Sequence, residues 1–341
     1  MNRLNKRTTA GLWGLLTAMI AAMVAVFGAV IERTNVIDGA VSRGFRNAGG
    51  PLSGTSGTFA GQAGPGDTLL DTTNGVEYIN EGTKASPYWT PTSYKQAGLK
   101  GVYHDFNDSA EIKAIADTGA TAVLNSGLRV FGQGIAETDA GLTHSYEAEE
   151  GGLGALLTTD EAAHLAALGM GDTTLLFQPD THGPLVIDVE FTHESAITAR
   201  ATFLGFLGAV ADALDPAVTG ATVTLTLVQD DLAGMFQDSG LTDADGVFLP
   251  HNKGDEAATL AVTATGVDPS VTIAAAGTFQ RWRVEISRAG VMTAFVDKVQ
   301  VGTIAAALDA DEEVMPAFYV ESNASAIKQA NVRRIAMYGT R

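Results

Sequence analysis

The chain has 341 residues, of which 45% are hydrophobic, with 39 glycines, no cysteine and a formal net charge of −18. That is enough chain for one large β domain or two ordinary domains, and enough apolar content to exclude wholesale disorder. The lack of cysteine excludes disulfides, thiolate chemistry and Cys-ligated zinc. Charge is divided unevenly: residues 1–46 carry a local +4, leaving −22 on the rest. So acidic a body repels nucleic acid, and no nucleic-acid partner is expected.

Residues 11–31, GLWGLLTAMIAAMVAVFGAVI, form a run without a single charge. Signal peptides carry an apolar stretch of about 7–15 residues, so this run is too long for one. As a helix it would measure about 32 Å, close to the roughly 30 Å of a bilayer's hydrocarbon layer. Gly11, Gly14, Ala18, Ala21, Ala25 and Gly28 recur with spacing 3, 4, 3, 4, 3, a heptad seam of small residues. Leu12, Leu16, Met19, Met23, Val26 and Val30 form a second seam beside it. Small residues let helix backbones approach closely, in lipid or in a protein bundle. Residues 1–34 are therefore expected to be an apolar anchor helix with the small-residue seam as its oligomer contact, and the protein a homo-oligomer, a trimer. Lipid and protein both remain open as its surroundings.

Residues 35–100 are rich in Gly, Ser and Thr, and Gly49-Gly50-Pro51 and Gly64-Pro65-Gly66 break regular structure. The expectation is an extended arm, ordered only where something holds it, with one short hairpin of strands 67–71 and 76–80 about Asn74-Gly75. An aromatic cluster of Tyr88, Trp89 and Tyr94 follows. The stretch GPGDTLLDTTNGVEYINEGTKASPYWTP resembles a short module of tailed-bacteriophage structural proteins, where a β-rich domain displayed on the virion follows it.

From residue 101 to 341 short strands alternate with turns. Period-two patterns predict strands over 185–191, 197–206, 222–228, 281–287, 291–296, 316–321 and 331–338. One helix is predicted, over the Ala-rich 158–168 with Thr159 as its cap. The fold class expected is mainly β, an antiparallel jelly-roll sandwich. The segment FQRWRVEISRAGVMTAFVDKVQVGTI (279–304) resembles the hairpin near the end of concanavalin A-like lectin/glucanase domains. Lys298 stands where that family usually has glycine.

Glucanases of that fold use a Glu-x-Asp-x-x-Glu strand, and two carboxylates must flank the glycosidic bond. No such triplet is present. The nearest is IDVEFTHE (187–194), whose alternation puts Asp188 and Glu190 on one face of a strand, read here as a solvated sheet face. The histidines at 104, 144, 164, 182, 193 and 251 lack metal-ligand spacing. GTSG (54–57) and VFGQG (130–134) lack the residues of a nucleophile elbow or a nucleotide loop. The acidic clusters 104–111 and 242–246 could supply oxygens to calcium, but Asp-Gly turns are the plainer reading, and no cofactor is expected. Trp282 is assigned to the core.

The sequence thus points to a non-enzymatic phage virion protein: a capsid decoration or spike, anchored by its N-terminus and displaying a lectin-like jelly roll. Its partners would be the major capsid protein or other virion proteins, further copies of itself and a host-surface glycan. The rival is a membrane-anchored, lectin-like carbohydrate-binding surface protein.

Overall fold

The computed structural model describes residues 34–37, 40–106, 121–123, 126–132, 140–147, 151–170, 177–194, 198–208, 216–229, 231–254 and 258–341. The apolar run 11–31, with its seam from Gly11 to Gly28, lies outside the described residues, as do residues 107–111 of the first acidic cluster.

The chain first builds a small sheet from β1 (Thr34–Ile37), β2 (Ala40–Asn47), β3 (Thr68–Asp71), β4 (Val76–Asn80) and β5 (Trp89–Pro91), in that order. The expected hairpin is β3–β4, its turn closed by Gly75 at φ +70°. This layer is not an arm awaiting another molecule. Phe45, Leu69, Val76, Tyr78 and Trp89 pack on Val186, Ala336 and Tyr338 of the chain's own sandwich. Buried polar side chains supply what apolar periodicity does not. Asp67 accepts from the backbone N–H groups of Arg43 and Gly64, and Asp71 from those of Gly49 and Thr73. Asn80 donates to the carbonyls of Ala63 and Gly64 and accepts from the N–H groups of Gly82 and Tyr88. A buried carboxylate or amide satisfied in this way fixes several loop segments at once.

The body continues through β6 (Leu99–His104), β7 (Thr121–Val123), β8 (Arg129–Gly132), β9 (Gly141–Glu147), β10 (Gly151–Leu157) and β11 (His164–Gly169). A helical turn, Pro179–His182, precedes β12 (Leu185–His193) and β13 (Arg200–Gly208). Next come β14 (Val218–Ala221), β15 (Thr224–Leu227), β16 (Leu232–Asp238), β17 (Gly246–Val247), β18 (His251–Asn252), β19 (Ala258–Ala261) and β20 (Val271–Thr272). The chain closes with β21 (Gln280–Ile286), β22 (Met292–Val296), β23 (Val299–Ile304), β24 (Val314–Ser322) and β25 (Gln329–Thr340).

Two antiparallel sheets result. The front sheet runs β23-β22-β21-β12-β25-β10-β9, with β6 beside the second half of β25; the back sheet runs β18-β16-β13-β24-β11-β8-β7. The chain passes repeatedly from one to the other, as a jelly roll does. Alternate residues of facing strands form the core between them, among them Ile187, Val189 and Phe191, Trp282 and Val284, Leu204 and Phe206, Phe318 and Val320. Each such side chain contributes about 1.5–3 kcal/mol on burial. The face of the back sheet turned away from this core is covered as well. Leu165, Phe203, Phe236 and Tyr319, on the outer side of the back sheet, pack under a third layer of β14, β15 and β19.

The hairpin expected at 281–287 and 291–296 is β21–β22, with Trp282 opposite Val296 and Ile286 opposite Met292. Trp282 is fully buried. The strands expected at 185–191, 316–321 and 331–338 are β12, β24 and β25; the one at 197–206 begins later, at Arg200. The stretch 222–228 holds β15, which belongs to the covering layer rather than the sandwich. The helix expected over 158–168 does not form. After a turn with Ala163 at φ +64°, the chain enters β11, bonded to β8 and β24. Leu165 and Ala167 face the covering layer while Ala166 and Leu168 face the inter-sheet core. A strand buried on both faces shows no alternation, and its alanines imitate a helix.

Candidate functional site

Alternation along β12 and β21 points Asp188, Glu190, Arg281, Arg283 and Glu285 away from the core, toward the N-terminal layer. The face is not solvated at Asp188, which is 3% exposed. Arg281 grips this carboxylate with two hydrogen bonds, Nε to Oδ1 at 2.7 Å and Nη2 to Oδ2 at 2.6 Å. The Tyr88 hydroxyl donates to Oδ2 at 2.9 Å. Burial pushes the Asp188 carboxyl up, but Arg281 and then Arg283 hold it below its ordinary value. Burial and the neighbouring Asp188 push the Tyr88 phenol well up, so it stays a donor.

Four further links tie the layer down. Arg283 donates to the Trp89 carbonyl at 2.8 Å, and the Ser53 N–H donates to Glu285 at 2.9 Å. Glu81 bridges Arg281 and Lys298, both at 3.1 Å. Arg281 and Arg283 also lie over the Tyr88 ring, 4.9 and 4.3 Å from its centre. Glu190, on the same face, is held between Arg333 at 2.7 Å and Arg334 at 2.9 Å. The two carboxylates singled out in the sequence thus share a sheet face, and each is engaged by arginines. This arrangement is a clamp.

A second feature lies at the edge of that joint. The turn after β5 (Thr92 to Lys95), residues 101–104 of β6, the adjoining Asp105 and Ser126 line an open cleft of about 770 Å³. Tyr94 and Tyr103 stack there with ring centres 4.6 Å apart and planes 4° from parallel. Tyr94 in turn meets the edge of Tyr338 at 5.6 Å. The pair is a flat aromatic platform, and Tyr103 is 38% exposed. The polar residues Thr92, Ser93, Lys95, Asp105 and Ser126 line the same space. Gly101 makes this geometry accessible: a Cβ there would lie 2.3 Å from the Met337 carbonyl oxygen. Tyr94 stands out in the sequence as part of an aromatic cluster, whereas Tyr103 does not, since nothing local pairs residues nine positions apart.

The remaining candidates are dispersed. Among the described residues, those of the 242–246 cluster included, no group of three or more His, Cys, Asp or Glu side chains could hold a metal ion. His193 and His104 are buried. Gly54 and Thr55 of the 54–57 stretch pack on Gln300, whose Oε1 accepts from the Thr55 N–H at 2.7 Å.

No family model and no curated protein matches the chain. Solved structures that it is similar to include a protein of unknown function from Shewanella oneidensis MR-1, at 14% identity and TM-score 0.40, with 71% of this chain and 87% of that one covered. Peanut lectin with a nine-residue peptide is similar at 10% identity and TM-score 0.41, over 71% of this chain and 97% of the lectin. A Bacillus licheniformis β-glucanase is similar at 10% identity and TM-score 0.36, over 70% and 97%. Both lectins and glucanases stand among these neighbours, so the likeness leaves enzyme status open.

Proposed function

We propose that the chain is a non-enzymatic virion structural protein of the tailed-phage kind, whose displayed sandwich holds a saccharide weakly in the Tyr94–Tyr103 cleft. The observation that carries the binding part is the stacked platform itself. A flat ring with polar residues around it suits the apolar face and hydroxyl rim of a sugar. Acid–base cleavage is disfavoured at Asp188 and Glu190, whose oxygens are occupied by arginine and tyrosine donors. The virion part rests on the phage-like stretch at 64–91 and on the basic, apolar N-terminus, which would attach to an acidic shell.

Two experiments test the halves separately. A glycan array probed with the full chain should show a retained saccharide, lost by about tenfold or more in Tyr103→Ala, the equivalent of 1.4 kcal/mol. No retained glycan, or equal binding by the variant, would sink the cleft assignment. Gold-labelled antibody against the chain should decorate purified phage particles; label confined to membranes would favour the membrane-anchored rival, which the 21 uncharged residues 11–31 support.

A further inference from the structure

The outer face of the back sheet holds two buried carboxyl groups with very different surroundings. Asp238 on β16 and Glu321 on β24 both lie opposite Ala201 of β13, one on each side, so they share a face two strands apart. That separation is about 9–10 Å between backbones, and only a methyl group stands between the side chains. Both residues are buried, at 3% and 4% exposure.

Asp238 is a hub. Its Oδ2 accepts from the Gly220 N–H at 2.8 Å, and its Oδ1 from the Gly240 N–H and the Asn323 amide, both at 2.7 Å. Gly220 belongs to β14, so this carboxylate ties the covering layer to the back sheet. Tyr319, on the same face of β24, adds a second tie by accepting from the Val218 N–H at 3.3 Å. Glu321 sits beside both with its Oε2 unpartnered. Burial, and then the Asp238 charge, push its carboxyl up to about 8.

We propose that Glu321 is a proton-dependent latch for the covering layer: as the neutral acid it leaves Asp238 free to hold β14, and as a carboxylate it drives the hub apart. The groups facing it decide the sign. Asp238 comes from β16 and Tyr319 from its own strand, while β13 and β11 present Ala201 and Leu165. Arg200, next to Ala201, points the other way and donates to the Gln329 carbonyl of the front sheet. No cation therefore faces Glu321 from these strands, and a charge there meets only repulsion and lost hydration. The layer is a reasonable part to loosen: it is a three-stranded sheet held by one face and a few polar ties.

Hydrogen exchange of the full chain, corrected for intrinsic rate, tests this at pH 6 and pH 9.5. Protection of residues 218–227 should fall by about tenfold or more at the higher pH, the effect of a single unit of pKa coupling. Protection of 281–286 in the front sheet should hold, and Glu321→Gln should keep the layer protected at both values. Equal loss in the variant, or loss spread over both sheets, would overturn the latch. Should the variant not fold, carboxyl carbon NMR of the wild type decides: a Glu321 titration in the ordinary glutamate range refutes the proposal. Millimolar calcium restoring protection at pH 9.5 would also refute it, by making the pair a cation site.

Discussion

The Tyr88 hydroxyl reaches across the joint between the N-terminal layer and the sandwich to the buried Asp188 carboxylate, 2.9 Å away. That bond and the bidentate grip of Arg281 make the joint dependent on one charge. Removing one partner of a buried pair typically costs about 3–5 kcal/mol, and without Asp188 the buried Arg281 would keep only the part-exposed Glu81. Asp188→Ala should therefore destabilise the protein by that order, and Tyr88→Phe by less, about 1.5–3 kcal/mol, the loss of one bond to a charged group. Urea unfolding of the two variants checks the ratio. Equal effects would mean that the Asp188 charge adds nothing to the joint beyond its bond to Tyr88.

The same carboxylate sets behaviour in acid. The folded Asp188 carboxyl lies below its ordinary value, so its stabilisation is complete above the unfolded value and is lost only as pH falls through the folded one. Glu81, where burial opposes and Arg281 and Lys298 prevail, shifts in the same direction. The layer should thus stay seated at a pH where ordinary surface carboxylates are already protonated. Proteolysis after residue 98 at stepwise lower pH reads this; release of the layer at pH 5 would contradict it.

Lys298 occupies the turn between β22 and β23 at φ +69°, following Asp297 at φ +49°. Both central residues are left-handed, the turn that glycine and asparagine favour in two-residue hairpins. A left-handed residue other than glycine costs about 1–2 kcal/mol. Lys298 offsets part of this through its 3.1 Å contact with Glu81, an exposed pair worth under about 1 kcal/mol. Lys298→Gly should consequently raise stability by roughly 0.5–1 kcal/mol, measurable as a higher urea midpoint with unchanged slope.

What could be read from the sequence followed local chemistry. Asn74-Gly75 announced its hairpin because the turn demands those residues, and β21–β22 were legible because one face is core and the other is not. The clamp was not legible, because Asp188 and Glu190 look alike along the strand. Only the layer above separates the enclosed Asp188 from the half-covered Glu190, and that layer comes from residues about a hundred positions earlier. The layer itself was hidden for a related reason. Ser53, Asp67, Asp71 and Asn80 are ordinary loop residues until their buried hydrogen bonds are seen. At 158–168 tertiary burial on both faces overrode helix propensity.

Gly101 should tolerate no side chain. The two carbon neighbours nearest its missing Cβ, on Tyr338, lie at 2.5 and 2.7 Å, in addition to the Met337 oxygen. Gly101→Ala must push β6 off β25 or shift the Tyr94–Tyr103 platform, and overpacking of this kind costs about 1–3 kcal/mol. Saccharide retention and stability should fall together. A variant of normal stability with intact binding would show that the edge strand yields freely.

His193 sits between the two sheets, 2% exposed, with Nε2 3.4 Å from the Thr202 hydroxyl. Burial, and then the nearby Arg200, lower its pKa well below the ordinary imidazole value. The unfolded chain therefore takes up a proton here at a pH where the folded chain does not, so the contribution of His193 to stability falls as pH drops below about 6.5, while Glu321, neutral in the fold, contributes the opposite slope. The fall should continue until the folded pKa is reached, at up to about 1.4 kcal/mol per pH unit. Asp188 does not contribute a slope in this upper range, because its unfolded form is ionised there too. His193→Gln keeps a neutral polar group beside Thr202 and has nothing to titrate there, so the variant should gain stability relative to the wild type as pH falls from 7 to 5. Urea midpoints at half-unit steps measure the difference. Parallel curves for the two proteins would mean that the imidazole is reached by water and protonates in place.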